Sequence, residues 1–152
     1  MKILMTTHGA PHDEVALRFG AEIARRTDQL PAVLTVIQHE RDRPQGDAVL
    51  TQAREILRVE GLKVWTRLRV GHPAAEIVRE TEEGDYGLVI VGDSHNHNLV
   101  TRFLHGSTAV RVVEHAPCPV IVAKGSANPI RRILLCDSGA ESPSVSLRTG
   151  PS

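Results

Sequence analysis

The chain has 152 residues, with 18 basic and 18 acidic side chains, so its formal net charge is zero when histidine is neutral. This balance argues against a protein that binds nucleic acid or an anionic membrane through bulk charge. The four aromatic residues are too few to form base-stacking platforms for single-stranded nucleic acid. The length suits one domain with an ordinary hydrophobic core, plus a remainder.

The cysteines and the amino terminus bear on the compartment. Cys118 and Cys136 show no metal-type spacing, which favours reduced thiols in an intracellular protein. No apolar run approaches the length of a membrane span, and the apolar segment at residues 1–5 is too short for a signal peptide. We therefore expect a cytoplasmic protein that does not contact the membrane.

The first half of the chain alternates between strand and helix patterns. Short apolar runs predict buried strands, and apolar residues that recur every fourth position predict an amphipathic helix. In chain order the predictions are a strand over 3–7, a helix that carries Val15, Phe19 and Ile23 and closes with Arg25 and Arg26, a strand over 33–37 after Pro31, a polar loop from Gln38 to Gly46, and a helix from Asp47 to Glu60.

The second half continues the same alternation. Because strands and helices alternate throughout, we expect right-handed crossovers and one parallel sheet. The predictions are a strand over 63–70 at the sheet margin, a helix that begins at Pro73 and stops at Gly84, a buried strand over 88–91, a helix from Thr108 to Ala116, and a strand over 120–123.

The loop between the last two of these strands points to phosphate binding. Gly92, Asp93 and Asn96 tolerate tight or left-handed backbone, and Gly106-Ser107-Thr108 opens the following helix. Amide groups at a helix N terminus lack partners within the helix and lie at the positive end of its dipole, so they can hold a phosphate. Ser107 equally fits a simple N-cap, and both roles are compatible.

The same loop carries a histidine cluster, His95, His97 and His105. These side chains could converge on a metal, but solvated loop histidines are the favoured interpretation because no cysteine lies nearby. If ATP binds, His95, His97 and Arg102 are candidates to contact its phosphates. No nucleophile, base and orienting group occur together, so we predict no catalytic residues.

The chain beyond residue 125 contains an apparent repeat. Residues 126–130 have the composition of a linker, and residues 133–148 match residues 3–18 at seven of sixteen positions without a gap. We interpret 131–152 as the opening strand and turn of a second, incomplete copy, with a coincidental apolar strand as the alternative. Such a strand must pair with a sheet edge, here or on a partner chain, or remain disordered.

Several motifs together resemble the universal stress protein family over residues 1–125. They are the opening strand and turn and the segments 71–77, 88–95, 104–107 and 115–122, the last reading His-Ala-Pro-Cys-Pro-Val-Ile-Val. The resemblance implies an open five-stranded parallel α/β sheet of order 3-2-1-4-5 with helices on both faces, Rossmann-like and of the HUP type. Ligands of such sheets bind at the switch point between the first and fourth strands.

The resemblance also bears on the ligand. Nucleotide-binding members carry Gly, two residues, Gly, nine residues, then Gly with Ser or Thr. Here Gly106 and Ser107 keep the last element, whereas Asp93 and Asn96 stand at the other two positions. The family tends to place Asp at the end of the first strand, where this chain has Thr7.

The resemblance implies a regulatory domain that binds ATP or AMP, with Mg²⁺ accompanying ATP, and that acts in stress response through binding and dimerisation. The alternatives are an interaction module of the same fold that binds no nucleotide and, third, an ATP hydrolase.

The resemblance also implies where a partner and the ligand would bind. A homodimer is expected through Val120–Ala123, an edge that the tail from Arg131 could compete for or extend. Adenine is expected near Thr6, Thr7 and Val36, and phosphates over Asn96, Gly106 and Ser107. The predicted binding residues are Thr6, Thr7, His8, Val36, Gly92, Asp93, His95, Asn96, His97, Gly106, Ser107 and Thr108.

Overall fold

The computed structural model describes residues 1–9, 13–92, 108–124 and 132–136. Strands and helices alternate along most of this length. The elements are β1 (Lys2–Thr6), α1 (Asp13–Thr27), β2 (Leu30–Ile37), a 3₁₀ turn (Glu40–Asp42), α2 (Arg43–Val59), β3 (Trp65–Val70), α3 (Pro73–Glu83), β4 (Tyr86–Gly92), α4 (residues 108–115), β5 (Val120–Lys124) and β6 (Arg132–Cys136).

The strands form a single sheet in the order β3-β2-β1-β4-β5-β6. Neighbours from β3 to β5 are parallel, which confirms the predicted five-stranded parallel sheet of order 3-2-1-4-5. β6 is an addition to that sheet and runs antiparallel along β5. Its residues lie in the segment interpreted as the start of a second copy, and that interpretation stays a prediction.

The core lies on both faces of the sheet. Ile3 and Met5 pack in one cluster with α1 and α2, whereas Leu4 packs in a second cluster with residues of α3 and α4. Because successive side chains of a strand point to opposite faces, an unbroken apolar strand needs a helical layer on each side. This arrangement confirms the predicted helices on both faces.

Helix α1 follows the sequence pattern closely. It has Asp13 and Glu14 in its first turn and Arg25 and Arg26 in its last, the charges that the helix dipole favours at each end. Gly20 lies on its buried face, where an added Cβ would stand 2.7 Å from the Met5 Cγ. Glycine therefore allows α1 to approach the central strand β1.

The predicted loop from Gln38 to Gly46 is wrong in its second half, because α2 begins at Arg43 rather than at Asp47. Pro44 is typical of a loop, but proline also fits the first turn of a helix, where its missing N–H needs no partner. Strands β2 and β4 are also longer than predicted, and β2 includes Pro31.

Strand β3 lies at the margin of the sheet, as predicted, and pairs with β2. Trp65 at its start is 69% exposed. The Lys2 Nζ lies 4.8 Å from the ring centroid of Tyr86 and 5.8 Å from that of Trp65, within the range of cation–π attraction. Lys2 thus joins the amino ends of β1, β3 and β4.

The helices that the structure describes are all too short or too polar to cross a lipid bilayer.

Candidate functional site

A cavity of about 300 Å³ lies where the carboxyl ends of β1, β2 and β4 meet. Thr6 and Thr7 come from the end of β1, Val36 from β2 and Gly92 from the last position of β4. β2 and β3 extend the sheet on one side of β1, whereas β4 and β5 extend it on the other side. The direction in which successive strands are added to the sheet therefore reverses between β1 and β4. Open α/β sheets bind their ligands at this kind of position.

The cavity brings together half of the predicted binding residues. Thr6, Thr7, His8, Val36, Gly92 and Thr108 all line it. The other predicted residues, Asp93, His95, Asn96, His97, Gly106 and Ser107, lie outside the residues that the structure describes.

The cavity also has lining residues that the sequence analysis did not identify. They are Asp13, Leu34, Gln38, Pro73, Ile77, Val91 and Ala109. Strand alternation could have identified Leu34, because it shares a face of β2 with Val36. The helical residues needed the packing of α3 and α4 on the sheet, which no local pattern reveals.

Asp13 places a buried carboxylate at the cavity. Only 2% of Asp13 is exposed. Its Oδ2 accepts a hydrogen bond of 2.9 Å from the His8 backbone N–H and one of 3.3 Å from the Thr7 hydroxyl, and it lies 3.1 Å from the His8 Nδ1. No local pattern indicates this role, because an acidic residue in the first turn of a helix is already explained by the helix dipole.

Thr7 connects this carboxylate to the sheet. Its backbone N–H donates to the Leu34 carbonyl at 3.0 Å, and its own carbonyl accepts from the Thr35 hydroxyl at 2.6 Å. Its hydroxyl accepts from the Gly9 N–H at 3.2 Å while donating to Asp13. The turn after β1 is therefore held by side chains, and a carboxylate lies next to the position where the family tends to have Asp.

Gly92 allows the end of β4 to come close to that carboxylate. A Cβ at this position would stand 2.7 Å from the Asp13 Oδ1, well inside van der Waals contact. A side chain here would have to displace Asp13 or move the strand. Gly92 is thus needed for the shape of the cavity floor.

The chemistry of the lining suits a partly apolar ligand. Leu34, Val36, Ile77 and Val91 provide aliphatic walls, and Thr6, Thr7, Gln38 and Thr108 provide hydrogen-bonding groups. Apolar walls with a few placed polar groups are typical of small-molecule sites. The described residues include no group of three or more His, Cys, Asp or Glu side chains that could hold a metal ion.

An ion-pair cluster holds α3 against the sheet. This helix contributes Pro73 and Ile77 to the lining of the cavity. The Arg69 guanidinium on β3 donates to Glu80 at 2.6 Å, to Glu76 at 2.9 Å and to Glu83 at 3.1 Å. Burial opposes the charge of Arg69, but hydrogen bonds with Glu83, Glu76 and Glu80 raise its pKa overall.

Tyr86 on β4 joins the same cluster. Its hydroxyl donates to the Glu80 Oε1 at 2.8 Å. Burial, reinforced by the hydrogen bond and charge of Glu80, raises the pKa of Tyr86 far above its ordinary value. Tyr86 therefore stays a neutral donor, and α3 is linked to both β3 and β4.

Comparison with solved structures supports the same fold. The chain superposes on the universal stress protein of Archaeoglobus fulgidus in complex with dAMP with a TM-score of 0.69, at 28% sequence identity and over 82% of this chain and 98% of that one. The five-stranded parallel sheet is thus Rossmann-like, as it is in that universal stress protein.

Two relatives show the similarity in sequence. A putative universal stress protein of Staphylococcus saprophyticus is 30% identical over 138 residues, which cover 80% of this chain and 82% of that protein. A universal stress protein of Synechocystis sp. is 30% identical over 120 residues, and this chain spans only 41% of its length. A sequence profile of the Universal stress protein family matches residues 1–124. On these sequence and structural grounds, the chain belongs to the universal stress protein family.

Proposed function

We propose that the cavity binds an adenine nucleotide, ATP or AMP, and that the chain is a regulatory domain that acts in stress response through binding and assembly rather than turnover. The observation that carries this proposal is the position of the cavity at the switch point, with Thr6, Thr7 and Val36 in its lining. The dAMP complex of the A. fulgidus protein supports it as an analogy.

The lining suggests how the ligand would lie. The aliphatic side chains of Val36, Leu34 and Ile77 would contact the flat faces of adenine, and the threonine hydroxyls would reach the sugar. A volume of about 300 Å³ is at the lower end for small-molecule sites, so it suits a nucleoside with its phosphates extending beyond it. The phosphates, with Mg²⁺ in the case of ATP, would then lie over Asn96, Gly106 and Ser107, as the sequence predicts.

A second candidate function is an interaction module of the same fold that binds no nucleotide. The buried Asp13 carboxylate favours this alternative, because it adds negative charge to a cavity that would face phosphates. Asp93 in place of a family glycine would act in the same direction. A hydrolase, the third class, would show phosphate release that Ser107→Ala abolishes.

Titration calorimetry and thermal unfolding with ATP, AMP and adenosine test the proposal. Binding should release or absorb heat, and a ligand at a hundred times its dissociation constant should stabilise the fold by about 2.7 kcal/mol. Val36→Asp should abolish both signals, because it places a charge against the adenine. Val59→Asp is the matched control, since Val59 is 76% exposed at the end of α2 and does not line the cavity.

The absence of heat and thermal shift with millimolar ATP and AMP would favour the interaction module.

The homodimer and the cytoplasmic location remain predictions of the sequence. The dimer prediction meets one structural obstacle, because the edge of β5 that it would use is paired with β6.

A further inference from the structure

An open cleft of about 570 Å³, which we call the outer cleft, lies between α3 and α4. The two helices cover the same face of the sheet, where Ile77 of α3 and Val112 of α4 belong to one core cluster. The outer cleft shares no lining residue with the cavity at the carboxyl ends of the strands. It is therefore a separate feature of the molecule.

Basic side chains line the outer cleft from both helices. Arg111 and His115 stand one turn apart on α4, so they lie on the same side of that helix. Arg79 on α3 and His72 just before it complete the basic set, and Glu82 is the one acidic residue of the described lining. The two guanidinium groups thus outnumber the carboxylate, and each imidazole adds an N–H donor in either protonation state.

The two arginines have few partners of their own. Within the described part of the chain, the Arg111 guanidinium forms no hydrogen bond or ion pair. Arg79 has one contact, a long one of 3.4 Å to the Glu76 Oε1, and that carboxylate is held more closely by Arg69 at 2.9 Å. Most of the ten N–H donors of Arg79 and Arg111 therefore stay available to a ligand.

Other exposed arginines of the chain differ in this respect. Arg18, Arg26 and Arg43 each lie within 3.0 Å of a glutamate oxygen on the same or a neighbouring turn. Pairing with glutamate is thus the usual arrangement on this surface. The outer cleft departs from it by collecting two weakly paired arginines, whose like charges repel each other.

The α3 wall of the outer cleft is also partly apolar. Ala75, Val78 and Arg79 follow one another along one side of the helix, since they are spaced by a single turn. The cleft thus offers an apolar surface next to a guanidinium group. This combination suits a ligand with an anionic group attached to a small organic part.

We propose that the outer cleft is a binding site for a small organic phosphate, separate from the nucleotide site. The guanidinium groups of Arg79 and Arg111 bind the phosphate, because their planar N–H forks match its oxygens. Ala75 and Val78 contact the organic part. The bound anion also relieves the repulsion between the two arginines.

Nuclear magnetic resonance on the full ¹⁵N-labelled chain, titrated with phenyl phosphate and with inorganic phosphate, tests the proposal. The amide signals of Ala75, Arg79 and Arg111 should shift with phenyl phosphate. Its affinity should exceed that of inorganic phosphate, because its ring buries apolar surface in the cleft.

Arg111→Met should weaken the binding of phenyl phosphate about tenfold, because it removes charged hydrogen-bond donors. Arg58→Met is the matched control, since Arg58 is exposed on α2 and does not line the cleft. Val36→Asp, which should abolish nucleotide binding, should leave the affinity for phenyl phosphate unchanged. The two sites can therefore fail independently.

Glu82→Gln provides a test with the opposite sign. It removes the carboxylate from the described lining, so it should tighten phenyl phosphate binding, a gain that partial unfolding cannot produce. Glu55→Gln on α2 should have no effect.

Four outcomes would overturn the proposal. They are the absence of shifts at the cleft amides, equal losses in the Arg111 and Arg58 variants, weaker binding by Glu82→Gln, and an affinity for inorganic phosphate equal to that for phenyl phosphate.

Discussion

At the scale of single residues, the turn after β1 depends on one carboxylate. Asp13 accepts hydrogen bonds from the His8 N–H and from the Thr7 hydroxyl while almost wholly buried. The cost of losing such an acceptor comes mainly from the donors left buried without it. Asp13 therefore matters more for stability than its place in the first turn of a helix suggests.

The substitution Asp13→Ala should lower the free energy of unfolding by about 2 kcal/mol, because it leaves the His8 N–H and the Thr7 hydroxyl without their acceptor. Urea denaturation followed by circular dichroism measures the loss. Glu14→Ala is the neighbouring control, since Glu14 forms a partly exposed pair with Arg18 and should cost less than about 1 kcal/mol. Equal losses in the two variants would contradict this account.

A second prediction at this scale concerns β4. Gly92→Ala should destabilise the fold by about 1–3 kcal/mol and weaken nucleotide binding, because its Cβ would press on the carboxylate of Asp13. Gly87→Ala in the same strand is the matched control. Its Cβ would meet the Sδ of Met1, the far end of a flexible and 72% exposed side chain, which can move away. Thermal unfolding of both variants separates the two effects.

At the scale of elements, α3 is held by charge as well as by apolar packing. Arg69 donates to three carboxylates, of which the side chain of Glu80 is 5% exposed and that of Glu76 is 12% exposed. Removal of one partner from a buried ion pair costs far more than the pair contributes, because the remaining charge is left without compensation. The position of α3, and with it one wall of the cavity, depends on this arginine.

Arg69→Met should therefore cost about 3–5 kcal/mol at neutral pH, measured by urea denaturation. Arg58→Met is the control, because the pair of Arg58 with Glu55 is exposed on α2 and its loss should change the free energy of unfolding far less. If the two variants lost the same stability, the Arg69 cluster would have no special role in holding α3.

The elements also show which parts of the fold can be predicted from the sequence. The five parallel strands could be predicted, because four of them contain short apolar runs and β3 alternates between polar and apolar residues, and the family resemblance implied their order. The start of α2 could not, since Pro44 is equally suited to a loop and to a helix N terminus. Half of the predicted site lines the cavity, because the carboxyl ends of parallel strands meet at one edge. The role of Asp13 could not be predicted, because its hydrogen bonds with His8 and Thr7 depend on the three-dimensional path of the turn.

At the scale of the whole molecule, the zero net charge conceals many local ion pairs between arginines and glutamates. Hydrogen bonds from Arg26 and Arg25 lower the pKa of Glu22, and those from Arg43 and Arg69 lower the pKa values of Glu40 and Glu83 respectively. A carboxyl group whose pKa is lower in the folded state contributes stability above its unfolded pKa and loses it as the pH falls.

The midpoint of thermal unfolding should therefore begin to fall as the pH drops below the ordinary glutamate value of 4.5, and it should continue to fall through the lowered folded values. Glu83→Gln should reduce this fall, because it removes one of the shifted groups. Glu82→Gln is the adjacent control, since no ion pair of Glu82 occurs within the described part of the chain. An identical pH profile for the two variants would contradict the assignment.

The place of Trp65 has a practical consequence for experiments on this protein. The chain has a single tryptophan, and it stands largely in water at the amino edge of the sheet, whereas the cavity opens at the opposite edge. Its indole emission should therefore be that of a hydrated ring in the native state and should not respond when a ligand enters. A flat fluorescence titration would be the normal behaviour of a chain that binds its ligand well, so an optical assay needs a chromophore carried by the ligand.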